Sequence, residues 1–249
     1  MYDSRLTGSQ IIRLNSVDST NDYASKLLAE GYVMGGTVVL ANEQTLGKGL
    51  MGNKWLSTAG LNLTFSLIIY PKQLNLSNHF YLSKITALAV SDLLLVYGID
   101  NSIKWPNDIM TMNGKICGIL IENGIVESSI KHSIIGVGLN VNQKTHEPSI
   151  NATSMIQFLD EVSNLESVLN LFCASFDKWY TLLLSSRFDL INNTYLLRLM
   201  NFGKFAKYVF RGETISARIT GVENNGILIL ADEKGEIIRA DLKEIKHVF

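Results

Sequence analysis

Two lysines in one short segment are the strongest sign of chemistry in this sequence. The segment KWPNDIMTMNGKICGILIE places Lys104 beside a Trp-Pro pair and Lys115 directly after a predicted turn. Pro106 fixes its own φ and pushes the residue before it into an extended shape, so the backbone beside Lys104 is held stiffly. A lysine at the head of an apolar strand needs either a path to water for its ammonium group or an anionic partner. Two such lysines beside an Asn-Asp pair favour an anion site over two ordinary surface lysines.

A glycine-rich stretch, GKGLMGNKW, is the second candidate. Gly47, Gly49 and Gly52 would let backbone N–H groups approach a ligand closely, and Lys48 and Lys54 add positive charge. The spacing is not that of a P-loop, and the stretch leads toward a strand rather than a helix. A flexible surface loop is the alternative interpretation.

Neutral polar side chains form a third group. Ser19, Thr20 and Asn21 precede a predicted helix, and Gln44 ends a predicted strand. Hydroxyl and amide groups suit a polar but uncharged ligand group such as an amide or a urea. Ser19 and Thr20 would also serve simply as caps of the helix.

The strand GVGLNVN, residues 136–142, is the fourth candidate. It contains Gly136, Gly138 and Asn140. Glycines inside a strand mark a bulge or the close approach of a ligand, and a crowded sheet gives the same pattern.

Alternating strand and helix patterns would position these residues. Apolar periodicity predicts a long helix over 76–97, and Asn113-Gly114 is the strongest hairpin signal. Ser163 and Glu166 have the spacing of a capping box before a further helix. The predicted strands are QIIRL, TVVLANEQ, LNLTFSLIIY, SIKWPND, KICGILIENGIV and SIIGVGLNVN, and the other predicted helices are DYASKLLAE, the stripe Phe172–Phe176–Trp179 and FDLINNTYLLRLM.

Residues 203–249 differ from the rest of the chain in the pattern of their sequence. Short β-patterned runs separated by Gly-containing turns are typical of a small β-barrel. We therefore predict a domain boundary near residues 200–203.

Composition argues against several classes of protein. The chain has 249 residues, 47% of them hydrophobic and 18% charged, with a net charge of −1, which does not favour nucleic acid as the main partner. Cys117 and Cys173 are too few and too far apart for a disulfide framework or a zinc site, and the four histidines receive no role. The polar N-terminus lacks a secretion signal, and no stretch reaches the roughly 18 unbroken apolar residues that a spanning helix needs. We expect a cytoplasmic protein.

These pieces, in this order, resemble the biotin–protein ligases. The resemblance covers about residues 10–249, and KWPND followed by GKxxGILIE is its most specific part. The matching residues are Ser19-Thr20-Asn21, Glu43-Gln44-Thr45, Gly47-Lys48-Gly49, Lys54-Trp55, Lys104-Trp105-Pro106-Asn107-Asp108, Lys115, Gly118-Ile119-Leu120-Ile121-Glu122 and Gly136-Val137-Gly138-Leu139-Asn140.

The resemblance implies an α+β fold. Its parts would be a mixed sheet with flanking helices, similar to class II aminoacyl-tRNA synthetases, and a small C-terminal SH3-like β-barrel. The implied domains are a biotin- and ATP-binding catalytic domain over residues 1–202 and the barrel over 203–249. The implied reaction converts biotin and ATP to biotinyl-5′-AMP and pyrophosphate, and then transfers biotin to a lysine of a biotin carboxyl carrier protein domain. ATP and Mg²⁺ are the implied cofactors.

The resemblance also implies roles for single residues. Lys115 would be the catalytic cation, because the biotin carboxylate and the α-phosphate are both anions and fixed positive charge must offset their repulsion. Asp108 would lie near the metal, the glycine loop would close over the adenylate, and Asn140 would face the adenine. The implied biotin-binding residues are Ser19, Thr20, Asn21, Gln44, Gly47, Lys48, Gly49, Lys115 and Gly118, and the implied ATP- or adenylate-binding residues are Lys48, Gly49, Leu50, Trp55, Lys104, Asn107 and Asn140.

Two features depart from the commonest family pattern. Three arginine positions of the glycine loop hold Lys48, Leu50 and Asn53, so we expect the intermediate to be held less tightly. The catalytic motifs also begin close to Met1, without the DNA-binding domain that some family members carry, so we expect no sequence-specific DNA binding.

Two other functions remain open at this point. A lipoate or octanoyl ligase shares the fold but would need an acyl tunnel, which the polar set around Gln44 does not suit. A non-catalytic biotin-binding protein is favoured only by the altered glycine loop. An exposed strand beside GVGLNVN could pair with a carrier domain or with a second copy of the chain, so a homodimer is possible.

Overall fold

A seven-stranded mixed sheet carries most of the candidate residues. The computed structural model describes residues 6–71, 74–145, 147 and 151–248. The strands lie in the order β1-β2-β3-β7-β6-β5-β4. Their bounds are β1 Ile11–Val17, β2 Val38–Gln44, β3 Leu63–Ile69, β4 Ser102–Lys104, β5 Asp108–Thr111, β6 Gly114–Val126 and β7 Ser129–Leu139.

Helices cover both faces of this sheet. Their bounds are α1 Thr20–Glu30, α2 Phe80–Val96, α3 Leu165–Leu184 and α4 Phe188–Arg198. Every residue of the interior strand β3 is buried, as expected for a strand covered on both sides. Phe65 and Leu67 point to the core beside α2 and α3, whereas Ile68 packs with Ala24 of α1. The alternation along β3 therefore separates a large apolar core from the face that α1 covers.

Helix α2 is the centre of the core. Within the described residues, the segment Leu76–Val96 is long and apolar enough to cross a membrane, and 72% of that window is buried inside the protein. Its first residues, Leu76–Asn78, form a short 3₁₀ turn, and α2 itself begins at Phe80. The stripe Phe172–Phe176–Trp179 of α3 packs into the same core, which confirms that prediction.

A second, smaller antiparallel sheet follows α4. Its strands lie in the order β11-β10-β9-β8-β12. Their bounds are β8 Phe205–Phe210, β9 Glu213–Val222, β10 Leu228–Asp232, β11 Ile237–Ala240 and β12 Ile245–His247. The mixed sheet with flanking helices and the small second sheet confirm the α+β prediction at this level.

Three local predictions need correction. SIKWPND is not one strand: β4 ends at Lys104, β5 begins at Asp108, and these two residues pair across a tight turn. Pro106 lies at that turn because it has no N–H to donate to a ladder. GVGLNVN leaves the sheet after Leu139, and the hairpin turn comes one residue early, between Thr111 and Gly114.

The capping-box prediction is also wrong. The cap of α3 is Asn164, whose side chain accepts a hydrogen bond from Ser167 N at 2.9 Å. Ser163 instead donates its N–H to Asn142 Oδ1 at 2.9 Å. Glu166 pairs with Arg13 of β1 at 2.7 Å, so both predicted members serve tertiary contacts.

Candidate active site

A cavity of about 410 Å³ lies on the α1 side of the large sheet. The glycine loop, the turn between β4 and β5, and the β12 region of the small sheet close its sides. Of the predicted site residues, Ser19, Thr20, Asn21, Gln44, Lys48, Gly49, Leu50, Trp55, Lys104, Asn107, Asp108, Lys115 and Gly118 line it.

Two predicted site residues lie elsewhere. Gly47 is at the base of the glycine loop, where an added Cβ would come within 2.4 Å of Trp55 O. Asn140 is buried beyond the end of β7, and its side chain donates a hydrogen bond to Thr153 O at 2.9 Å. The structure holds Asn140 against the segment before Met155, and its contact with the adenine stays a prediction.

The charge of the cavity is strongly positive. Among the described residues that line it, Asp108 is the only carboxylate. The lining lysines are Lys48, Lys54, Lys104, Lys115, Lys243 and Lys246. Such a lining favours a ligand that carries more than one negative charge, because the interactions strengthen as water is excluded.

Asp108 and two lysines form the centre of this charge. Lys115 Nζ lies 2.6 Å from one Asp108 oxygen, and Lys104 Nζ lies 3.8 Å from the other. The side chain of Lys115 is 31% exposed, and its ammonium group is 5.5 Å from the centroid of the Trp55 ring. The ammonium group of Lys115 therefore extends neither into bulk water nor into the apolar core, and it is accessible from the cavity.

Glycines of β6 and β7 leave room for the side chains above them. A Cβ at Gly138 would lie 2.3 Å from the Trp55 ring, and one at Gly118 would lie 3.2 Å from Lys115 Nζ. At Gly136 it would lie 2.5 Å from Asn21 Oδ1. The glycine pattern in β7 therefore reflects a crowded sheet, in which protein side chains make the close approach.

The neutral polar residues form one hydrogen-bonded group. Gln44 Oε1 accepts hydrogen bonds from Thr20 N at 2.8 Å and from Thr20 Oγ1 at 3.0 Å. Ser66 donates to Asn21 Oδ1 at 2.6 Å, and Asn21 Nδ2 donates to Glu122 at 2.6 Å. Ser19 caps α1, as its alternative interpretation stated. The network fixes the amide groups of Gln44 and Asn21, so each presents a defined donor or acceptor.

Sequence reasoning missed Ser66 of this group. It is buried at the centre of β3, and only its place among apolar residues marks it in the sequence. A single serine in a strand does not by itself predict a binding role, because its contacts with Thr20 and Asn21 depend on how α1 packs on the sheet.

The glycine loop is a small hairpin. Lys48 and Lys54 form an isolated β-bridge, and Gly49 N donates to Asn53 O at 2.7 Å. Lys48 Nζ lies 2.6 Å from Asp22 in the first turn of α1, and this hydrogen bond raises the pKa of Lys48. Leu50 stands at the tip, in a 3₁₀ turn over Leu50–Gly52. The loop is thus an ordered flap attached to α1 at one point.

The small sheet contributes lining residues that the sequence did not predict. Lys243, Lys246 and His247 face the cavity from β12 and the turn before it. Burial, and then the charge of Lys104, lower the pKa of His247 to about 4, although Asp108 and the main chain of Trp105 oppose the shift. The ring of His247 is therefore neutral near pH 7, and the two lysines supply the charge.

Cys117 carries no role in this cavity. The thiol is fully buried in the core, and that burial raises its pKa strongly. A protonated, enclosed thiol is inert as a nucleophile.

Comparison with known proteins agrees with this geometry. Residues 14–140 match the family described as "Biotin/lipoate A/B protein ligase family". The chain is 32% identical to the biotin--[acetyl-CoA-carboxylase] ligase of Paracoccus denitrificans over 233 residues, which is 90% of this chain and 92% of that one. It is 30% identical to the bifunctional ligase/repressor BirA of Bacillus subtilis over 247 residues, covering 96% of this chain and 75% of the relative.

Solved structures give the same result. The biotin protein ligase from Aquifex aeolicus in complex with biotin and ATP superposes with a TM-score of 0.79 at 26% identity, covering 96% of this chain and 100% of that chain. The chain belongs to the biotin/lipoate A/B protein ligase family.

Proposed function

We propose that this chain is a biotin–protein ligase, which activates biotin with ATP and transfers it to a lysine of a biotin carboxyl carrier protein domain. The observation that carries the proposal is the cavity itself, in which a cationic half adjoins a neutral hydrogen-bonding half. Biotin has a carboxylate and a ureido ring, and ATP has a triphosphate, so the two halves match the two kinds of group.

Lys115 is the residue best placed for the first step. A biotin carboxylate oxygen attacks the α-phosphorus, the bond to the β-phosphate oxygen breaks, and pyrophosphate leaves. Both reactants are anions, and an ammonium group between them lowers the cost of their approach and of the charge that develops. Lys115 Nζ has one fixed partner, Asp108 at 2.6 Å, which orients it while the further lysines keep the surroundings positive.

The neutral group suits the ureido ring. Because Gln44 Oε1 already accepts two hydrogen bonds from Thr20, its orientation is fixed and its NH₂ group is available as a donor. A urea needs such uncharged donors and acceptors. An unbranched acyl chain would leave them unpaired, which costs about 1–3 kcal/mol for each buried group.

Mg²⁺ would be held mainly by the nucleotide. Among the described residues no group of three His, Cys, Asp or Glu side chains could form a protein-only metal cage. Mg²⁺ in nucleotide sites is commonly bound through one or two carboxylates together with phosphates, and Asp108 is the carboxylate available here. When bound, the ion would neutralise phosphate charge.

The small sheet would act as the SH3-like barrel of the family. Lys243 and Lys246 line the cavity beside Lys104, where they would contact the outer phosphates or the acidic side of an arriving carrier domain. The division at residues 202 and 203, a homodimer, the lack of sequence-specific DNA binding and a cytoplasmic location stay predictions.

One experiment tests the function against its alternatives. Purified protein is incubated with MgATP, an apo-carrier domain and either biotin, lipoate or octanoate, and the carrier is read by intact mass and avidin blot. Transfer of biotin alone supports the proposal. Transfer of lipoate or octanoate would identify the runner-up ligase, and binding of biotin without biotin-dependent ATP–pyrophosphate exchange would identify a non-catalytic binding protein.

A further inference from the structure

The turn between β9 and β10, residues 223–227, packs against helix α2 and the β4–β5 turn of the large-sheet part of the protein. Two main-chain oxygens of the turn accept hydrogen bonds from this part of the protein: Gly226 O from Trp105 Nε1 at 2.9 Å and Asn224 O from Phe80 N at 3.2 Å. Val222 O, at the end of β9 where the turn begins, accepts a third from Lys84 Nζ at 3.2 Å. At Gly226, φ is +93°, and an added Cβ would lie 2.7 Å from the Phe80 ring. The turn is therefore fitted closely to its place, and glycine is required there.

Lys84 is unusual among these contacts. Its side chain is 0% exposed, and its ammonium group also donates to Asn192 Oδ1 at 2.8 Å and lies 4.7 Å from the centroid of the Tyr81 ring. Burying an ammonium group without a carboxylate is costly, and an apolar residue of similar volume would fill the site without that cost. The chain has instead a charged donor directed at the end of β9, where the turn begins.

Trp105 connects this turn to the cavity. Its neighbour Lys104 ends β4, and Asp108 begins β5 four residues later. The two residues pair in register, and Asp108 lies 2.6 Å from Lys115 Nζ. Strand β4 is three residues long and forms the edge of the sheet, so its own ladder gives it little support. Trp105 itself lines the cavity, and its indole N–H is held by the hydrogen bond to Gly226 O.

We propose that the β9–β10 turn is a brace that sets the positions of Lys104 and Asp108 through Trp105, which makes Trp105 a positioning residue for adenylate formation. The inference rests on the proposed function and assigns a task to the small sheet apart from its lysines. When the Trp105 indole is held by the packed β9–β10 turn, the neighbouring residues Lys104 and Asp108 are held with it, because packed elements shift as units. A misplacement of about 1 Å at reacting groups can cost up to about a hundredfold in rate.

The test compares two identical substitutions. Trp105→Phe removes the indole N–H but keeps an aromatic ring. Trp179→Phe is the matched control, because Trp179 is also 4% exposed and its Nε1 also donates at 2.9 Å, to Asp92, and neither residue lines the cavity. We expect Trp105→Phe to lower kcat for biotin-dependent ATP–pyrophosphate exchange about tenfold. The affinity for biotin alone, measured by calorimetry, should stay within about twofold, since biotin would bind mainly the α1 and β2 side chains.

Lys84→Met gives an independent arm, because Lys84 does not line the cavity. It loosens the turn from the other side, and it should lower kcat for exchange in the same direction with the same unchanged biotin affinity. If Trp105→Phe does not fold, this variant decides the question. Exchange at the wild-type rate in both folded variants, or a fall in biotin affinity that parallels the fall in rate, would overturn the brace. Absence of exchange in the wild type would instead overturn the proposed function.

Discussion

At the scale of single residues, the site depends on a balance between one carboxylate and several lysines. Asp108 is close enough to Lys115 to orient it, at 2.6 Å, and it remains 3.8 Å from Lys104. A carboxylate between two ammonium groups reduces their mutual repulsion and so lets them lie together before any phosphate arrives. The arrangement leaves net positive charge for the ligand, which is what a reaction between two anions requires.

Lys115→Ala should lower biotin-dependent ATP–pyrophosphate exchange by about 10²–10³-fold, the usual cost of losing one charge-stabilising donor. Binding of biotin should weaken far less, because the neutral group around Gln44 is untouched. Pyrophosphate exchange and calorimetric biotin binding are the measurements. Cys117→Ala is the control, since Cys117 belongs to the same strand, β6, and its thiol is buried in the core. Exchange near the wild-type rate in Lys115→Ala would remove Lys115 from the mechanism.

At the scale of elements, the glycine loop is the part that we expect to differ from the commonest family pattern. It is an ordered hairpin whose attachment to α1 is the pair Lys48–Asp22, and both side chains of that pair are partly exposed. Exposed pairs contribute little, and salt weakens them. Leu50, at the tip of the loop, lines the cavity but contributes no positive charge to it.

Leu50→Arg should therefore slow the escape of biotinyl-5′-AMP, by roughly three- to tenfold, because a guanidinium group can bind the phosphate in a bidentate manner. The measurement is the rate at which preformed labelled adenylate leaves the enzyme when trapped by excess unlabelled ligand. Leu46→Arg adds the same charge at an exposed position outside the cavity lining and should leave the rate near that of the wild type. Equal escape rates for Leu50→Arg and the wild type would end the idea.

The elements also mark what the sequence could and could not predict. Strands and helices follow from local periodicity, so β3, α2 and the hairpin before β6 were predicted correctly to within a few residues. The cap of α3 was not, because Ser163 and Glu166 are engaged by Asn142 and Arg13 from distant parts of the chain. Such long-range contacts override local capping preferences, and they cannot be predicted from the spacing of neighbouring residues in the sequence.

The same limit applies to the candidate site. Motif order brought Lys104, Asp108 and Lys115 together correctly, because they lie on three successive antiparallel strands, β4, β5 and β6. The cavity-lining role of Lys243 and Lys246 could not be predicted, since it depends on how the small sheet docks on the large one. Asn140 does not line the cavity, and its expected place at the nucleotide stays a prediction.

At the scale of the whole molecule, the two sheets are joined by specific contacts. The predicted boundary near residues 200–203 falls between α4 and β8, yet Phe80 N donates to Asn224 O at 3.2 Å and Trp105 Nε1 donates to Gly226 O at 2.9 Å across it. Phe202 bridges to Ile219 of β9, and Lys84 reaches β9 from the core helix. The joint therefore behaves as part of the core, and its stability should respond to the protonation of Lys84.

Burial lowers the pKa of Lys84 to about 8 from its ordinary value of 10.5. Between these two values the unfolded chain holds more protons on this group than the folded chain does, so the free energy of unfolding must rise with pH in that window. At about 1.4 kcal/mol per pKa unit, the whole change is on the order of 3 kcal/mol. Below about pH 8 both states are protonated, and the full cost of burying the charge is present.

Lys84→Met should remove this dependence. We expect the difference in unfolding free energy between wild type and Lys84→Met, measured by urea denaturation, to shift in favour of the wild type as pH rises from about 8 to about 10. The same substitution at the exposed Lys26 controls for the loss of a surface ammonium group. A difference that stays constant over this range would mean that Lys84 is not held as a buried ammonium group, and it would take away the electrostatic part of the joint between the two sheets.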